Sequence, residues 1–222
     1  MKKKIKALLE AGVIVARLQD IGLAWYERRL NIETSDYSGD AETSRKQTDL
    51  RNAKAKFSDS RGYSSPGHWN LFRVARRLRL SPGDVVYDIG CGKGRVLCVM
   101  ATFPVKRVVG VELLEELCAQ ARANADRLRG RKASIEVRCA DASDADLSGG
   151  TAYFFYLPFG PETFAKVLEN IRSTTLDDPR EIKIAYYKSR HEDVLNNCGW
   201  LRKYDEYTSL SGDRVTFWRN AA

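Results

Sequence analysis

Val85-Val86-Tyr87-Asp88-Ile89-Gly90-Cys91-Gly92-Lys93-Gly94-Arg95 is the stretch that decides the fold of this chain. Apolar and aromatic residues lead into an acid, three glycines follow at a spacing of two, and an apolar segment comes next. Glycine has no Cβ and tolerates a positive φ, so the backbone of such a loop can approach a ligand closely. A helix after the loop presents unpaired N–H groups and its positive dipole end to an anionic group. We therefore predict a strand, a glycine loop and a helix that together bind a ligand.

Strands and helices alternate along the chain from this point. The apolar patterns predict strands over residues 85–88, 107–112, 134–139, 152–156 and 181–187, with helices over residues 94–102, 115–129, 161–173 and 192–198. Two further β-rich stretches, 201–209 and 214–219, flank a turn at Gly212 and predict a terminal hairpin. Continuous apolar strands between helices are typical of a mostly parallel sheet covered on both faces. The expected fold class is therefore α/β, with one antiparallel strand from the hairpin.

The net positive charge of the chain is confined to its N-terminal part. Residues 1–80 hold 17 Lys and Arg against 9 Asp and Glu, whereas residues 81–222 hold 20 of each. Helical patterns cover residues 1–30 and 68–80, which predicts a helical N-terminal extension or cap over 1–80 and a separate domain over 81–222. A basic extension attracts a nucleic acid, an acidic protein or a membrane surface. A solvated helical arm without a partner explains the same charge.

Composition excludes several classes of protein. No run of about 18 apolar residues is present, so no membrane span is predicted. The start Met1-Lys2-Lys3-Lys4-Ile5-Lys6 resembles the head of a signal peptide, but Glu10, Arg17 and Asp20 interrupt the apolar run that follows, which favours an amphipathic helix. The five cysteines form no C-x-x-C pair and only two histidines are present, so no metal site is predicted and a reducing, cytoplasmic compartment is expected.

Three acids lie at or just after the ends of consecutive strands, and they indicate which ligand the glycine loop binds. A nicotinamide-binding loop of the G-x-G-x-x-G type has a glycine where this chain has Arg95, and the third glycine here is Gly94. Asp88 stands two residues before the first glycine, Glu112 closes the second strand and Asp141 follows the third. Taken singly, Asp88 could cap a turn, Glu112 could be an N-cap-type or solvated acid before the next helix, and Asp141 could start the loop over residues 141–146. Three acids at the ends of three consecutive strands together indicate a nucleoside-containing ligand.

On these residues the chain resembles the class I S-adenosylmethionine-dependent methyltransferases, over roughly residues 83–219. The resemblance implies a Rossmann-like sheet of seven strands in the order 3-2-1-4-5-7-6, with strand 7 antiparallel, and S-adenosyl-L-methionine as the cofactor. It implies that Asp88 and the glycines hold the methionine part of the cofactor and that Glu112 binds the ribose. Asp141, with Ala142 beside it, is the counterpart of the acid that binds the adenine.

The resemblance gives a complete set of expected cofactor-binding residues. Tyr63 enters it because Gly62 and Pro66-Gly67 form a loop able to close over the cofactor. The set comprises Tyr63, Asp88, Gly90, Cys91, Gly92, Gly94, Glu112, Leu113, Asp141, Ala142 and Tyr156.

The loop after the fourth strand, Tyr156-Leu157-Pro158-Phe159, is the place to look for residues that contact the methyl acceptor. Methyltransferases of exocyclic base amines resemble one another in an N/D/S-P-P-Y/F/W motif there; this chain keeps the Pro-aromatic half and lacks the polar residue. The motif therefore does not favour methylation of DNA or RNA bases. Tyr156, Pro158 and Phe159 are the predicted catalytic residues. Phe159 would stack on a planar substrate or surround a cationic amine, or else is a core aromatic under the next helix.

The narrower resemblance concerns the acceptor. The glycine loop with Val109-Gly110-Val111-Glu112 is similar to a group of small bacterial methyltransferases of unassigned substrate. Phe159-Gly160-Pro161-Glu162 resembles a segment of the non-SET lysine methyltransferases, which carry paired asparagines just ahead of it where this chain has Tyr156-Leu157-Pro158. We expect methyl transfer to a protein lysine or other amine, or to a small molecule. The open alternatives are an RNA methyltransferase and a non-catalytic cofactor-binding module; Arg95 and Asp88 argue against a nicotinamide oxidoreductase.

Overall fold

The computed structural model describes residues 22–35, 65–209 and 211–220. A helical segment covers residues 22–30. The later elements are α1 (His68–Arg77), β1 (Val85–Ile89), α2 (Arg95–Met100), β2 (Arg107–Glu112), α3 (Glu115–Arg127), β3 (Ser134–Cys139), β4 (Ala152–Tyr156), α4 (Pro161–Asp177), β5 (Lys183–Tyr187), α5 (Glu192–Asn197), β6 (Leu201–Thr208) and β7 (Arg214–Asn220). None of the helices in these ranges is long and apolar enough to cross a membrane.

The strands form one sheet in the order β3-β2-β1-β4-β5-β7-β6. The neighbours among β1 to β5 pair in parallel, and β7 pairs antiparallel with both β5 and β6. The predicted fold class, strand order and antiparallel strand are confirmed. In this order β1 and β4 are adjacent at the centre of the sheet, so the loops that follow them meet at its carboxyl edge, where open α/β sheets bind ligands.

The sheet is buried on both faces because successive side chains of a strand point to opposite sides. Val86 and Phe154 belong to the apolar cluster on one face, and Tyr87 and Phe155 belong to the cluster on the other. All five residues of β1 are buried. This explains the near-continuous apolar character of the central strands, which periodicity of two would not predict.

Three helices begin or end at residues other than those predicted from the sequence. The first helix after the linker, predicted to reach Leu80, ends at Arg77, and Arg79 adopts φ 50° in the left-handed region. The helix predicted from Gly94 begins at Arg95, because Gly94 caps it with φ 82° and cannot be part of it. α4 continues to Asp177, four residues further than predicted.

Asp84 anchors the amino ends of three central strands. Its carboxylate accepts hydrogen bonds from the Ser81 amide at 2.6 Å and the Thr151 hydroxyl at 2.7 Å, and Lys183 Nζ lies 3.0 Å away. Burial alone would raise the pKa of Asp84, but the hydrogen bonds from Thr151, Lys183 and Ser81 lower it below its ordinary value. A charged side chain at this depth is stable because it is fully partnered.

The residues ahead of the domain pack against it. Leu30 and Ile32 are buried in the core cluster that includes α2. The buried Asn124 side chain of α3 accepts a hydrogen bond from the Glu33 amide at 2.8 Å and donates one to the Glu33 carbonyl at 3.0 Å. The helix predicted over residues 1–30 is present over 22–30, and its remainder lies outside the described residues. The division at residue 80 stays a prediction.

Candidate active site

The glycine loop between β1 and α2 lies directly against the loop after β4. Gly90, Gly92 and Gly94 have φ values of 79°, 53° and 82°, which residues with a Cβ rarely adopt. A Cβ built on Gly90 would lie 2.7 Å from Cβ of Pro158. The structure therefore brings together the predicted cofactor loop and the predicted catalytic loop, and only glycine permits the contact.

The amides of this loop are largely used inside the protein. The N–H groups of Gly90 and Cys91 both donate to the Val111 carbonyl, at 2.8 and 3.1 Å. The Gly92 amide donates to Glu112 Oε2 at 2.9 Å, and the Gly94 amide donates to the Cys91 carbonyl at 2.9 Å. These four amides are therefore satisfied within the protein, and the prediction of unpaired N–H groups, which concerns the start of the helix that follows, stays a prediction. The loop offers a close backbone approach instead, since it has no side chains at three positions.

Cys91 turns its thiol away from the carboxyl edge and into the protein. The residue is buried, and a Cβ built on Gly110 of β2 would lie 2.7 Å from Cys91 Sγ. Burial, with the nearby carboxylates Asp88 and Glu112, raises the pKa of this thiol well above its ordinary value. Cys91 is therefore a packing residue whose contribution to a ligand is limited to its backbone.

Glu112 ends β2 with a carboxylate that organises the loop around it. Its Oε1 accepts hydrogen bonds from the amides of Leu113 and Leu114 at 2.8 and 3.0 Å, and its Oε2 accepts the Gly92 amide. Burial raises the pKa of Glu112, and these three amides oppose the rise. A carboxylate has about four lone-pair positions, so Glu112 keeps capacity for a hydroxyl donor while it shapes the site.

Asp88 contributes a buried carboxylate at the end of β1. Among the residues that the structure describes, its Oδ2 has no hydrogen-bond partner. Burial raises the pKa of Asp88 well above its ordinary value, and the negative charge of Glu112 adds to the effect. A buried acid without a donor is costly, so a strongly shifted acid beside an open loop indicates a ligand site.

Asp141 lies at the same edge of the sheet, after β3. The Ala140 amide donates to the Glu112 carbonyl at 2.8 Å, which fixes the ends of β2 and β3 side by side. Asp141 Oδ1 accepts hydrogen bonds from the amide and hydroxyl of Ser143 at 2.9 and 2.8 Å. One oxygen of this acid is thus used within the loop that Asp141 begins, and Ala142 beside it packs against the core.

The loop after β4 presents an aromatic residue beside a cation. The Tyr156 ring is partly exposed, its centroid lies 5.1 Å from the Tyr187 ring, and Lys188 Nζ is 4.8 Å from its centroid. Leu157 and Lys188, which follow the ends of β4 and β5, have φ values of 45° and 54°. Non-glycine residues in this conformation are strained and concentrate at functional sites. Sequence reasoning missed Lys188, and its only signal is its position directly after a strand.

The remaining two predicted residues are Phe159 and Tyr63. Phe159 is 9% exposed, and its ring packs on Phe155 and on Phe164 of α4 at centroid distances of 6.4 and 6.2 Å. It is therefore the core aromatic of the alternative interpretation, and the expectation that it stacks on a substrate is corrected. Tyr63 lies outside the described residues.

The loop after β5 supplies two buried polar atoms at this edge of the sheet. Ser189 Oγ and His191 Nε2 are buried, and neither has a hydrogen-bond partner among the described residues. Both follow Lys188 at the carboxyl edge, next to the loop that carries Tyr156. Buried polar groups are normally satisfied, so these two atoms are candidates to contact a bound molecule.

This sheet order, with a glycine loop after β1 and acids at or just after the ends of β1, β2 and β3, is the one that the resemblance to the class I S-adenosylmethionine-dependent methyltransferases implied. The comparisons with known proteins agree with that resemblance. Residues 86–176 match the family described as methyltransferase domain, which covers β1 to α4 and contains every predicted site residue except Tyr63.

Individual relatives agree on the class and differ in their acceptors. The chain is 34% identical over 92 residues to a protein-lysine N-methyltransferase of Saccharolobus islandicus (strain REY15A). The matched region covers 38% of this chain and 55% of that protein. It is 39% identical over 82 residues to the tRNA (uracil-5-)-methyltransferase homolog A of Mus musculus. This matched region covers 36% of this chain and 13% of that protein. The chain thus spans about half the length of the first of these relatives and far less of the second.

A solved structure shares the fold. An RNA methyltransferase from Salinibacter ruber, in complex with S-adenosyl-L-homocysteine, superposes with a TM-score of 0.54 at 23% identity, covering 71% of this chain and 94% of that chain. At this identity the likeness establishes the fold, and the acceptor has to be argued from the site.

Proposed function

We propose that this protein transfers a methyl group from S-adenosylmethionine to an amine nitrogen, with a lysine side chain of another protein as the acceptor. The observation that carries the proposal is the contact of Gly90 with Pro158, which joins a loop suited to the cofactor to a loop suited to an acceptor. The similarity to the protein-lysine N-methyltransferase supports the choice of acceptor.

The residues at the carboxyl edge fit the cofactor by their donor and acceptor character. Glu112 would accept from ribose hydroxyls, because its carboxylate retains acceptor capacity. Asp88 would accept from the ammonium of the methionine part, a donor that its Oδ2 lacks. Asp141 would accept from the adenine amine, with Ala142 beside it. When bound, the cofactor supplies a methyl group already activated on a sulfonium, so the protein mainly has to position the acceptor and exclude water.

The surroundings of Tyr156 favour an aliphatic amine. A lysine attacks only after it loses its proton, and a like charge nearby lowers the pKa of an ammonium. The Lys188 ammonium over the Tyr156 ring provides this charge. Tyr156 or Leu157, depending on the register, stands where enzymes acting on base amines have the Asn, Asp or Ser of their motif, so a planar base amine lacks that partner here.

RNA is the second candidate acceptor. The similarity to the tRNA methyltransferase homolog, at 39% identity over its matched residues, is the observation that favours it. The missing polar residue in the loop after β4 speaks against an exocyclic base amine. A non-catalytic cofactor-binding module is the remaining alternative, and it predicts cofactor binding without turnover.

The proposed function is tested by tracing a labelled methyl group from the cofactor to its acceptor. The protein is incubated with S-adenosylmethionine labelled in its methyl group and with a cell extract, which is then separated into protein, RNA and metabolites. We expect label in protein, recovered as methyl-lysine after acid hydrolysis. Glu112→Gln should abolish transfer, and Lys188→Met should reduce it most at low pH, where fewer acceptor amines are unprotonated. Label in RNA would replace the lysine acceptor by the second candidate. Cofactor binding with no label in any fraction would favour the non-catalytic module.

A further inference from the structure

Two exposed tryptophans and four exposed arginines form one surface on the N-terminal side of the domain. Trp25 is 55% exposed and Trp69 is 68% exposed, the largest values for a tryptophan in the described residues. Both indoles pack edge-on against Tyr26, with ring centroids 5.0 and 5.9 Å away. We call this the Arg–Trp surface; it comprises Trp25, Arg28, Arg29, Trp69, Arg73 and Arg76.

The Arg–Trp surface is continuous because of helix geometry. Trp69, Arg73 and Arg76 are spaced by four and three residues along α1, so they share one face of that helix. The Arg29 guanidinium lies 5.6 Å from the centroid of the Trp25 ring, and the Arg73 guanidinium lies 4.2 Å from the Tyr207 ring of β6. The sequence of α1 contains no acid. The surface is therefore both aromatic and positively charged.

The aromatic base of this surface lies close to the glycine loop. Tyr26 stacks on His68 with a centroid distance of 5.1 Å and an interplanar angle of 11°. Burial and the charge of Arg95, which directly follows the glycine loop, together lower the pKa of His68 to about 4. The imidazole is therefore neutral at physiological pH, and the surface begins within electrostatic reach of the site.

We infer that the Arg–Trp surface binds an acidic segment of the protein whose lysine receives the methyl group. This inference rests on the proposed function for the identity of the acceptor, and on the structure for the surface. Tryptophan and arginine are the residues that dominate the binding energy of protein interfaces. Exposed guanidiniums pair with carboxylates in two-pronged hydrogen bonds, and a helix without acids has nothing of its own to neutralise them.

The composition of the surface decides against the other anionic partners. A membrane-binding face needs a stripe of apolar side chains, and Trp25, Trp69 and the distant Leu176 are the large apolar residues exposed in the described part of the chain. Single-stranded nucleic acid needs a cationic groove that follows several phosphates. Arg77, the last residue of α1, is paired with Asp205 of β6, so the row of arginines along α1 that have no acidic partner among the described residues is short.

The experiment measures binding of the full chain to a fluorescein-labelled peptide of glutamates and glycines with one central lysine. Anisotropy is recorded at low and at high salt. The double variant Arg73→Ala/Arg76→Ala should weaken binding about tenfold at low salt, since each exposed ion pair contributes modestly. Trp69→Ala should weaken binding about thirtyfold at both salt concentrations, as expected for an aromatic anchor. The matched control is Lys166→Ala/Arg172→Ala, which removes two exposed charges from α4 and should leave the affinity unchanged.

Two further probes and one independent measurement complete the test. Tighter binding of a poly-uridine oligonucleotide, or of phosphatidylglycerol vesicles, with loss in the same variants would overturn the acidic-segment inference, as would equal peptide affinity in all variants. Calorimetry with S-adenosylmethionine is carried out on the same proteins. The surface variants should bind the cofactor as the wild type does; a wild type that does not bind it refutes the proposed function without bearing on the peptide result.

Discussion

The replacement of Arg95 by methionine tests how the N-terminal residues are joined to the glycine loop. The Arg95 side chain is 5% exposed. Its Nε donates to Thr34 Oγ1 at 2.8 Å, its Nη2 donates to the Thr34 carbonyl at 2.9 Å, and its Nη1 donates to the Ser65 carbonyl at 3.2 Å. Glu27 Oε1 lies 3.7 Å from Nη2. One guanidinium thus holds residues on both sides of positions 36–64 beside the residue that caps α2.

The cost of Arg95→Met follows from these contacts. Removal of one partner of a buried ion pair costs about 3–5 kcal/mol. Glu27 keeps its hydrogen bonds to Thr34 and Ser35, so its charge stays solvated by protein donors and the lower end of that range applies. Methionine preserves the packing of the aliphatic part of the side chain. We therefore expect a loss of about 3 kcal/mol, which corresponds to a roughly hundredfold shift in an equilibrium.

This loss should appear locally, because the affected bonds all join residues 27–35 and Ser65 to the domain. Hydrogen exchange followed by mass spectrometry should show the amides of Glu33 and Thr34 exchanging about a hundredfold faster, while amides of β1 such as that of Val86 keep their wild-type rate. Arg172→Met, which breaks an exposed ion pair with Glu169, is the control and should change neither. Unchanged exchange at Glu33 and Thr34 in Arg95→Met would refute the reasoning.

Three further predictions concern acids and glycines of the central strand. Gly90→Ala should cost about 1–2 kcal/mol more than Gly130→Ala by denaturant unfolding, and should lower cofactor affinity. Both glycines have φ near 75–79°, but only at Gly90 would the new Cβ meet Pro158; equal costs would contradict the contact. Asp84→Asn should destabilise the protein by about 2–3 kcal/mol at neutral pH. Because the folded pKa of Asp84 is lowered, its contribution is present above pH about 4 and lost as pH falls, so the two unfolding curves should converge in acid. The folded pKa of Asp88 is raised, so ionisation of this carboxyl opposes folding above pH about 4. Asp88→Asn should therefore raise the melting temperature at neutral pH, and it should also abolish methyl transfer. A lower melting temperature would show that the carboxylate is satisfied in the wild type.

The fold could be predicted because local patterns and connection rules agree. The strands around Val86 and Phe154 are apolar runs of about five residues separated by helix-length segments, which leaves few arrangements other than a doubly covered parallel sheet. The antiparallel ending follows from the turn at Gly212 between two β-rich stretches. Helix ends were less predictable, since Arg79 and Gly94 stop or start helices through a backbone conformation that composition does not reveal.

The candidate site was predictable only in part. The acids Asp88, Glu112 and Asp141 stand out because acids at the ends of apolar strands are conspicuous. The use of the Gly90 and Cys91 amides by the Val111 carbonyl depends on how two loops meet in space, which no spacing in the sequence encodes. Lys188, Ser189 and the buried position of Phe159 depend in the same way on the packing of the loops after β4 and β5.

Two acids near opposite ends of β1, Asp84 and Asp88, show how one strand separates stability from function. Asp84 precedes the strand, is saturated with donors, and has a lowered pKa. Asp88 lies near its other end, four residues later; its Oδ2 has no hydrogen-bond partner among the described residues, and its pKa is raised. Because the residue type is the same, the difference comes from the local surroundings of each carboxylate. A parallel sheet places all its carboxyl ends on one side, so the strained Leu157 and Lys188 backbones lie on the side of Asp88. A ligand that donates to Asp88 would remove a cost that folding alone leaves in place, and this couples cofactor binding to the stability of the central strand.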